Sequence, residues 1–482
     1  MKNVLFITLD QFRGDALSSA GHEFARTPAL DAIAARGFRL TRHFAQSAPC
    51  SPGRAALYTG TYQMNNRVVA NGTPHSRSLD NIAYVARRAG YDPVLFGYTD
   101  QGLDPSYAVD DCDPRLAYYD GILPGFSVGL YLPEDQSPWL RWLRGLGYDI
   151  VGNYVEALRQ EPNRPAEHSL SSFLTNRFLQ WHERQGEGWF AHLSYLRPHS
   201  PYAAAGEFSK RHRAEDVDLP IAPVPESERH PLHALAMMNE ASGAPTDEGK
   251  LRELRAQYFG MVEEVDTQLA RVIDALVARG ELDNTLIVVT ADHGEQLGDH
   301  GLLEKLAFYP QSYHILGIWS DPDLGNGVIH EFTENVDLLP TLCESIGVEI
   351  PRQCDGRSLV PLLQGESTEW RKAAHYEWDW RYFFVNSRTP DWATNRLLSR
   401  QNLAVSLSDD LAYVQFGDGS YRAFDLVADP TWRTECSDID RILSGAQELL
   451  VWRQEHLRRE TTDMLLTSSR PGYWPAVASA SA

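Results

Sequence analysis

Asn3-Val4-Leu5-Phe6-Ile7-Thr8-Leu9, closed by Asp10, and Thr285-Leu286-Ile287-Val288-Val289-Thr290, followed by Ala291-Asp292-His293-Gly294, are the stretches on which the fold turns. Each is a short apolar run bounded by polar residues, the pattern of a strand buried on both faces in a parallel sheet. Each also leads into an aspartate. In open α/β sheets ligands bind outside the carboxyl ends of strands, so both carboxylates fall where a site belongs. Working outward, residues 28–36 repeat apolar positions at helical spacing and stop at Gly37; residues 79–88 read as a second helix, followed by Gly90 and a strand at 93–97. The order strand, helix, strand is βαβ grammar. The strongest helical pattern, 246–279, opens with Thr246 and Glu248, carries Leu251, Leu254, Tyr258, Met261, Val265, Leu269, Val272 and Leu276 on one face, and ends at Gly280.

Farther along, a helix is expected at 334–346. From about 370 to 429 alternating segments (375–378, 411–416, 421–426) surround a Gly417-Asp418-Gly419 turn and read as an antiparallel hairpin sheet. An amphipathic helix at 439–459 precedes a small-residue tail. The expected fold class is therefore α/β: a sandwich with a mostly parallel central sheet flanked by helices, plus a smaller C-terminal antiparallel sheet. The expected division is 1–365 and 366–482. Residues 104–162 and 203–245, rich in Gly, Pro, Asp and aromatics, read as lids or oligomer contacts.

The 482 residues, 43% hydrophobic and 23% charged, suffice for a sizeable core and exclude wholesale disorder. A net charge of −21 argues against nucleic acid or an anionic membrane surface as partner. A small anionic substrate would then need a local positive device. No apolar run reaches membrane-spanning length, and residues 1–10 lack the pattern of a secretory signal, so the expected compartment is the cytoplasm. The five cysteines (Cys50, Cys112, Cys343, Cys354, Cys436) form neither a disulfide framework nor a CxxC pair.

Cys50-Ser51-Pro52-Gly53-Arg54 is the suggestive one. Pro52 suits the first turn of a helix, which puts Cys50 just before a helix N-terminus, where free N–H groups favour anions and Arg54 adds a permanent charge. The plain alternative is a capped helix with a buried thiol. Asp10 and Asp292 would repel each other unless a cation separates them, so metal ligation is the natural reason to collect them. His293 adds a nitrogen donor, which admits Mn²⁺ or Zn²⁺ beside Ca²⁺ and Mg²⁺. Singly, each aspartate reads as a cap or salt-bridge partner; Asp292-His293-Gly294 with Asp299-His300-Gly301 behind it is harder to explain as structure alone.

Taken in order, Asp10-Gln11-Phe12-Arg13-Gly14-Asp15, the CxPxR signature at Cys50 to Arg54 with Thr59-Gly60 behind it, and Asp292-His293-Gly294 through Lys305 resemble the sulfatases of the alkaline phosphatase superfamily. The likeness is greatest to the phosphonate monoester hydrolase and arylsulfatase branch, and runs in motif order from residue 3 to about 460. It implies that a separate maturation enzyme oxidises Cys50 to formylglycine, whose hydrate is the nucleophile and forms a covalent sulfo- or phospho-enzyme. It implies one divalent metal held by Asp10, Cys50, Asp292 and His293. Gln11 stands where many sulfatases have a second Asp, and His293 where many have Asn; both departures resemble the phosphonate branch and move the expected metal from Ca²⁺ towards Mn²⁺ or Zn²⁺, Mn²⁺ first. Arg54 would orient the nucleophile, while Lys305 and His199 would hold anionic oxygens or protonate the leaving group. Asn71, Tyr98 and Gln11 match substrate-contacting positions. Asp100 stands where a small hydroxyl residue is expected; its carboxylate would repel the anion or bind a cationic part of the substrate.

The resemblance implies hydrolysis of sulfate monoesters, aryl ones first, with phosphonate monoester and phosphodiester hydrolysis as side or even main activities. A two-metal phosphatase would need more His and Asp ligands and a Ser or Thr at position 50. A non-catalytic anion-binding protein would have no use for clustered carboxylates. The aromatic-rich segment 118–148 and the tail beyond 459, with Tyr473 and Trp474, are expected contact material for a homodimer or homotetramer.

Overall fold

The computed structural model describes residues 1–118, 120–366, 369–381 and 400–457, together with the backbone of 464–466 and 471–473. In chain order the strands are β1 Asn3–Leu9, β2 Phe38–Phe44, β3 Ser47–Ala48, β4 Pro93–Gly97, β5 Ser127–Tyr131, β6 Phe190–Tyr195, β7 Thr285–Thr290, β8 Gly317–Ser320, β9 Gly327–Glu334, β10 Ala374–Asp379, β11 Asn402–Leu407, β12 Leu411–Phe416, β13 Tyr421–Asp425, β14 Met464–Leu466 and β15 Pro471–Tyr473. The principal helices are α1 Pro28–Arg36, α2 Cys50–Thr59, α3 Ile82–Arg88, α4 Ser137–Gly145, α5 Leu170–His182, α6 Glu248–Ala278, α7 Leu338–Ser345 and α8 Ile439–Glu455.

The large sheet has the order β5-β4-β6-β1-β7-β8-β2-β9, and β8 alone runs antiparallel to its neighbours. The smaller sheet, β13-β12-β11-β10-β3, is antiparallel except where β10 meets β3. This is the expected α/β architecture. Side chains of a strand alternate between faces, and the central pair shows what that does. Leu5, Ile7, Ile287 and Val289 meet α1, α4, α5 and α6 on one face, while Val4, Phe6, Leu286 and Val288 meet α2, α3 and α7 on the other. Both faces are buried, as the unbroken apolar runs predict.

Helix α6 begins two residues after the expected start because the Asp247 side chain accepts the Lys250 N–H and caps it. Likewise Asn81 caps α3, so that helix begins at Ile82 and not at 79. Cys50 is the first residue of α2 and not the residue before it. The irregular stretch 104–162 contains β5 and α4, which its Gly and Pro content conceals. Of the expected tail contacts, only the backbone of Tyr473 is described; Trp474 lies outside the described residues. Among the described residues no helix is long and apolar enough to cross a membrane.

Candidate active site

Strands β4, β6, β1 and β7 are adjacent and parallel, so their carboxyl ends share one edge. Each delivers side chains there: β1 leads to Asp10 and Gln11, β7 to Asp292 and His293, β4 to Tyr98 and Asp100, and β6 to Arg197 and His199. Helix α2 points its first turn at the same spot. Its close approach to the end of β7 depends on Gly53, where an added Cβ would lie 2.4 Å from the Asp292 carbonyl oxygen.

At the centre, one donor atom from each of Asp10, Cys50, Asp292 and His293 lies within 4.8 Å of the others, all four residues being buried. His293 Nδ1 sits 3.0 Å from the Gly294 carbonyl oxygen, which can only accept, so Nδ1 carries the proton. The Nε2 lone pair is thereby aimed inward, 3.3 Å from Cys50 Sγ and 3.7 Å from Asp10 Oδ1. Asp10 Oδ1 is buried without a hydrogen-bond donor among the described residues. A buried carboxylate oxygen, an imidazole lone pair and a sulfur facing one another need a cation to be stable together, and this donor set fits one divalent metal.

Arg54, fully buried, ties the cluster together. Its Nε donates to Asp292 Oδ2 (2.8 Å), Nη2 to Asp10 Oδ2 (3.1 Å) and Nη1 to Ser194 Oγ (2.8 Å). The guanidinium lies over the Tyr98 ring at 4.2 Å, and the Tyr98 hydroxyl donates to Asp10 Oδ2. Burial works to raise the Asp10 carboxyl, but His199, Arg54, His293 and Lys305 outweigh it and hold that group well below its ordinary range. Burial, reinforced by Asp10, pushes the Cys50 thiol up.

A second group faces the cluster. Lys305 Nζ donates to Gln11 Oε1 (3.0 Å) and to His199 Nε2 (2.8 Å), and pairs with Glu304 at 3.1 Å. His199 Nδ1 lies 2.8 Å from the Ser200 carbonyl oxygen, so that nitrogen holds the ring proton and Nε2 accepts from the ammonium. Burial lowers Lys305, yet Cys50, Glu304, Asp10 and Asp292 more than offset it and hold the ammonium charged. Arg197, also fully buried, donates to the carbonyls of His199 (2.8 Å) and Pro201 (3.0 Å) and braces this loop.

The structure thus gathers every candidate site residue read from sequence, with distinct placements, whereas Asp299 pairs with Arg13 and His300 stacks on Tyr309 away from the site. Asn71 lines the cavity, and its Oδ1 accepts the Ser51 N–H at 3.0 Å, capping α2. Gln11 is fully buried behind Lys305; its amide donates to Glu295, which fixes which end of the carboxamide Lys305 meets. Asp100 lines the cavity, and burial pushes it up to about 7 although Arg54 pulls the other way. Ser194, Glu295, Glu304 and Arg197 were not found from sequence. Glu304 and Arg197 adjoin residues that were, and that adjacency was the available signal; Ser194 and Glu295 become visible only through the contacts they make.

A mostly parallel sheet with a carboxylate, imidazole and sulfur donor cluster at its carboxyl edge is the arrangement of an alkaline-phosphatase-like hydrolase. The sulfatase family profile matches residues 2–348, and the chain belongs to that family. Over 501 aligned residues it is 36% identical to the multifunctional alkaline phosphatase superfamily protein PehA of Trinickia caryophylli, spanning 96% of this chain and 97% of that protein. The crystal structure of the phosphonate monoester hydrolase of Agrobacterium radiobacter aligns with a TM-score of 0.91 at 37% identity, covering 98% of this chain and 99% of that one. The phosphonate monoester hydrolase of Silicibacter pomeroyi aligns with a TM-score of 0.90 at 33% identity, covering the same shares.

Proposed function

We propose that the protein hydrolyses sulfate monoesters, aryl esters among them, and also phosphonate monoesters and phosphodiesters, at position 50. The observation that carries this is the buried constellation in which Cys50 Sγ, His293 Nε2 and two carboxylates converge while Arg54 bridges both carboxylates. Asp10, Cys50, Asp292 and His293 would hold one divalent metal, Mn²⁺ by choice of donors, which when bound supplies Lewis-acid polarisation of the ester oxygen and lowers the pKa of the nucleophile. Formylglycine, made from Cys50 by a maturation enzyme as the family implies, would supply a geminal diol with one hydroxyl to attack and one to expel the anion afterwards.

The chain's own residues do the rest. Arg54 fixes Asp10 and Asp292, each through one oxygen, and leaves Asp10 Oδ1 facing inward. Lys305 lines the cavity with its ammonium, which would face the leaving oxygen of a substrate seated at position 50 and supply its proton, and His199 Nε2 accepts from that same ammonium and holds it in place. Asp100 subtracts from the positive charge of Arg54 and Lys305, which suits a monoanionic ester better than a dianionic phosphate monoester.

The test is kcat/KM for matched aryl sulfate, aryl phosphonate and aryl phosphate substrates, with mass analysis of the peptide spanning position 50. Sulfate and phosphonate turnover by aldehyde-bearing protein, abolished by a chelator and restored by Mn²⁺, is expected. A clear preference for the phosphate, or full activity with unmodified cysteine, refutes the reading. We further propose a homodimer or homotetramer formed through the 118–148 segment, where Tyr118, Val128 and Leu146 are exposed; light scattering is expected to give a mass above that of a single chain.

A further inference from the structure

From the donor cluster the site opens into a cavity of about 1070 Å³. Lys305 and His199 line one part of it. The wall formed after β4 and β5 is chemically different, for Asp100, Asp120, Glu134 and Gln136 all line it, with Leu132 and Tyr154 between them. For an enzyme whose substrates are anions this is a costly place to put carboxylates, because they repel the substrate as it enters.

Two acceptors on this wall are left unpaired. Asp100 is only 6% exposed, and no described group donates a hydrogen bond to its carboxylate. Gln136 is 4% exposed, and its Oε1 has no donor among the described residues. Asp120, also buried, takes the Glu134 N–H on its side chain. After burial, Asp10, Asp292 and Asp120 all act to raise the Asp100 carboxyl, and Glu134, Asp100 and Asp120 add to burial in pushing the Tyr154 phenol up. Buried acceptors without donors are rare in folded proteins and point to a missing positive or N–H-bearing group. A metal ion does not meet the need. Among the described residues the carboxylate, thiol and imidazole atoms gather to coordination range at one place, Asp10, Cys50, Asp292 and His293, and not here. Spread acceptors flanked by Leu132 and a tyrosine ring suit a larger, softer cation. Arg159 also lines the cavity, but it is exposed and faces Glu156 at 3.8 Å.

We propose that Asp100, Asp120, Glu134 and Gln136 form a leaving-group subsite for an ammonium cation, so that preferred substrates are zwitterionic esters with the anion at position 50 and the cation on the esterified alcohol or phenol. This rests on the hydrolase reading above and deepens it by naming the substrate class. A zwitterion carries no net charge into a chain of net charge −21, and it presents each pole of the cavity with the opposite sign.

The test uses the metal-loaded, full-length enzyme and two esters of equal shape, 4-[(trimethylammonio)methyl]phenyl sulfate and 4-neopentylphenyl sulfate. The cationic ester is expected to have a kcat/KM about tenfold or more above its neutral isostere. Glu134→Gln and Asp100→Asn are each expected to shrink that ratio severalfold. Glu134 is on the exposed rim, so its variant is tested even where the buried change at Asp100 disturbs folding. In parallel, benzyltrimethylammonium is titrated into wild type and Glu134→Gln by calorimetry; it is expected to bind the first and to bind the second severalfold more weakly. Equal kcat/KM for the two esters, or cation binding unchanged by Glu134→Gln, overturns the subsite and leaves the hydrolase reading standing. Turnover of neither ester while the cation still binds in a Glu134-dependent way supports the subsite and refutes the hydrolase reading.

Discussion

Arg54 shows how much one side chain carries here. Its guanidinium compensates two carboxylates and a serine in three directions, a geometry an ammonium cannot copy. Arg54→Lys keeps the charge and loses the fork, so kcat/KM on an aryl sulfate is expected to fall about 100-fold or more while the fold, checked by circular dichroism, persists. Wild-type rates in that variant would mean that Asp10 and Asp292 need no bridge. His43 gives a pH-dependent prediction away from the site. Asn335 Nδ2 donates to the Ala291 carbonyl oxygen, leaving Oδ1 to accept, so His43 Nε2–H donates to Oδ1 at 3.0 Å while Nδ1 accepts the Thr333 hydroxyl at 3.0 Å. Burial lowers this imidazole to about 4. Because the folded value lies below the ordinary one, the stability it contributes is present above pH 6.5 and is lost as pH falls towards 4. Going from pH 7 to pH 5 therefore takes about 2 kcal/mol from wild type through His43 and nothing from His43→Gln through that position. The urea midpoint of the variant is expected to trail wild type at pH 7 and to approach it at pH 5; a gap that widens on acidification would sink the assignment.

At the scale of elements, the meeting of α2 with β7 governs the site. A helical glycine replaced by alanine ordinarily stabilises by up to about 1 kcal/mol, but at Gly53 the new Cβ would stand 2.4 Å from the Asp292 carbonyl oxygen and 3.0 Å from that of Ser47. Gly53→Ala must push the helix off the strand that carries two of the four donors. It is expected to lower the melting temperature and to weaken Mn²⁺ binding, measured by calorimetry, at least tenfold; unaltered metal affinity would show that α2 can shift without consequence. The same elements explain what could be read from sequence. β1 and β7 are sandwiched on both faces and appear as unbroken apolar runs, and α6 displays its apolar stripe openly. β6 does not stand out in the sequence because His192 and Ser194 interrupt its apolar run. Their partners are far away in the chain: His192 Nε2 meets Thr8 Oγ1 at 3.1 Å, with Nδ1 buried and unpartnered among the described residues, and Ser194 Oγ accepts from Arg54. β2 is hidden by Arg39 and Arg42, which are half-buried beside the edge strand β9. The residues proposed to hold a metal and an anion announce themselves by motif, whereas the residues that keep them in place are chemically ordinary and acquire meaning from contacts far apart in the chain.

For the whole molecule, the division at about residue 365 drawn from sequence marks a change of pattern, and we propose that it marks no break in stability. β3, two residues before Cys50, pairs with β10 of the smaller sheet. Tyr376, Trp378, Trp380, Leu403 and Val405 of that sheet share one apolar core with Phe44, Phe308, Tyr309, Tyr313 and Phe332 of the preceding part. Arg371 pairs with Asp337, which itself caps the turn leading into α7. Each large apolar side chain returned to water costs about 1.5–3 kcal/mol. Five such groups, stripped of their cover, lose an amount comparable to the whole net stability of a domain, about 5–15 kcal/mol. Phe308 and Tyr309 also follow Lys305 closely in the chain, so the damage would reach the cavity wall. A chain ending at residue 365 is accordingly expected to be insoluble or molten, with weak near-ultraviolet circular dichroism and no measurable ester hydrolysis. If that fragment were instead soluble, melted cooperatively and turned over an aryl sulfate within tenfold of the full chain, the smaller sheet would be an appendage, and the boundary seen in the sequence would be a structural one after all.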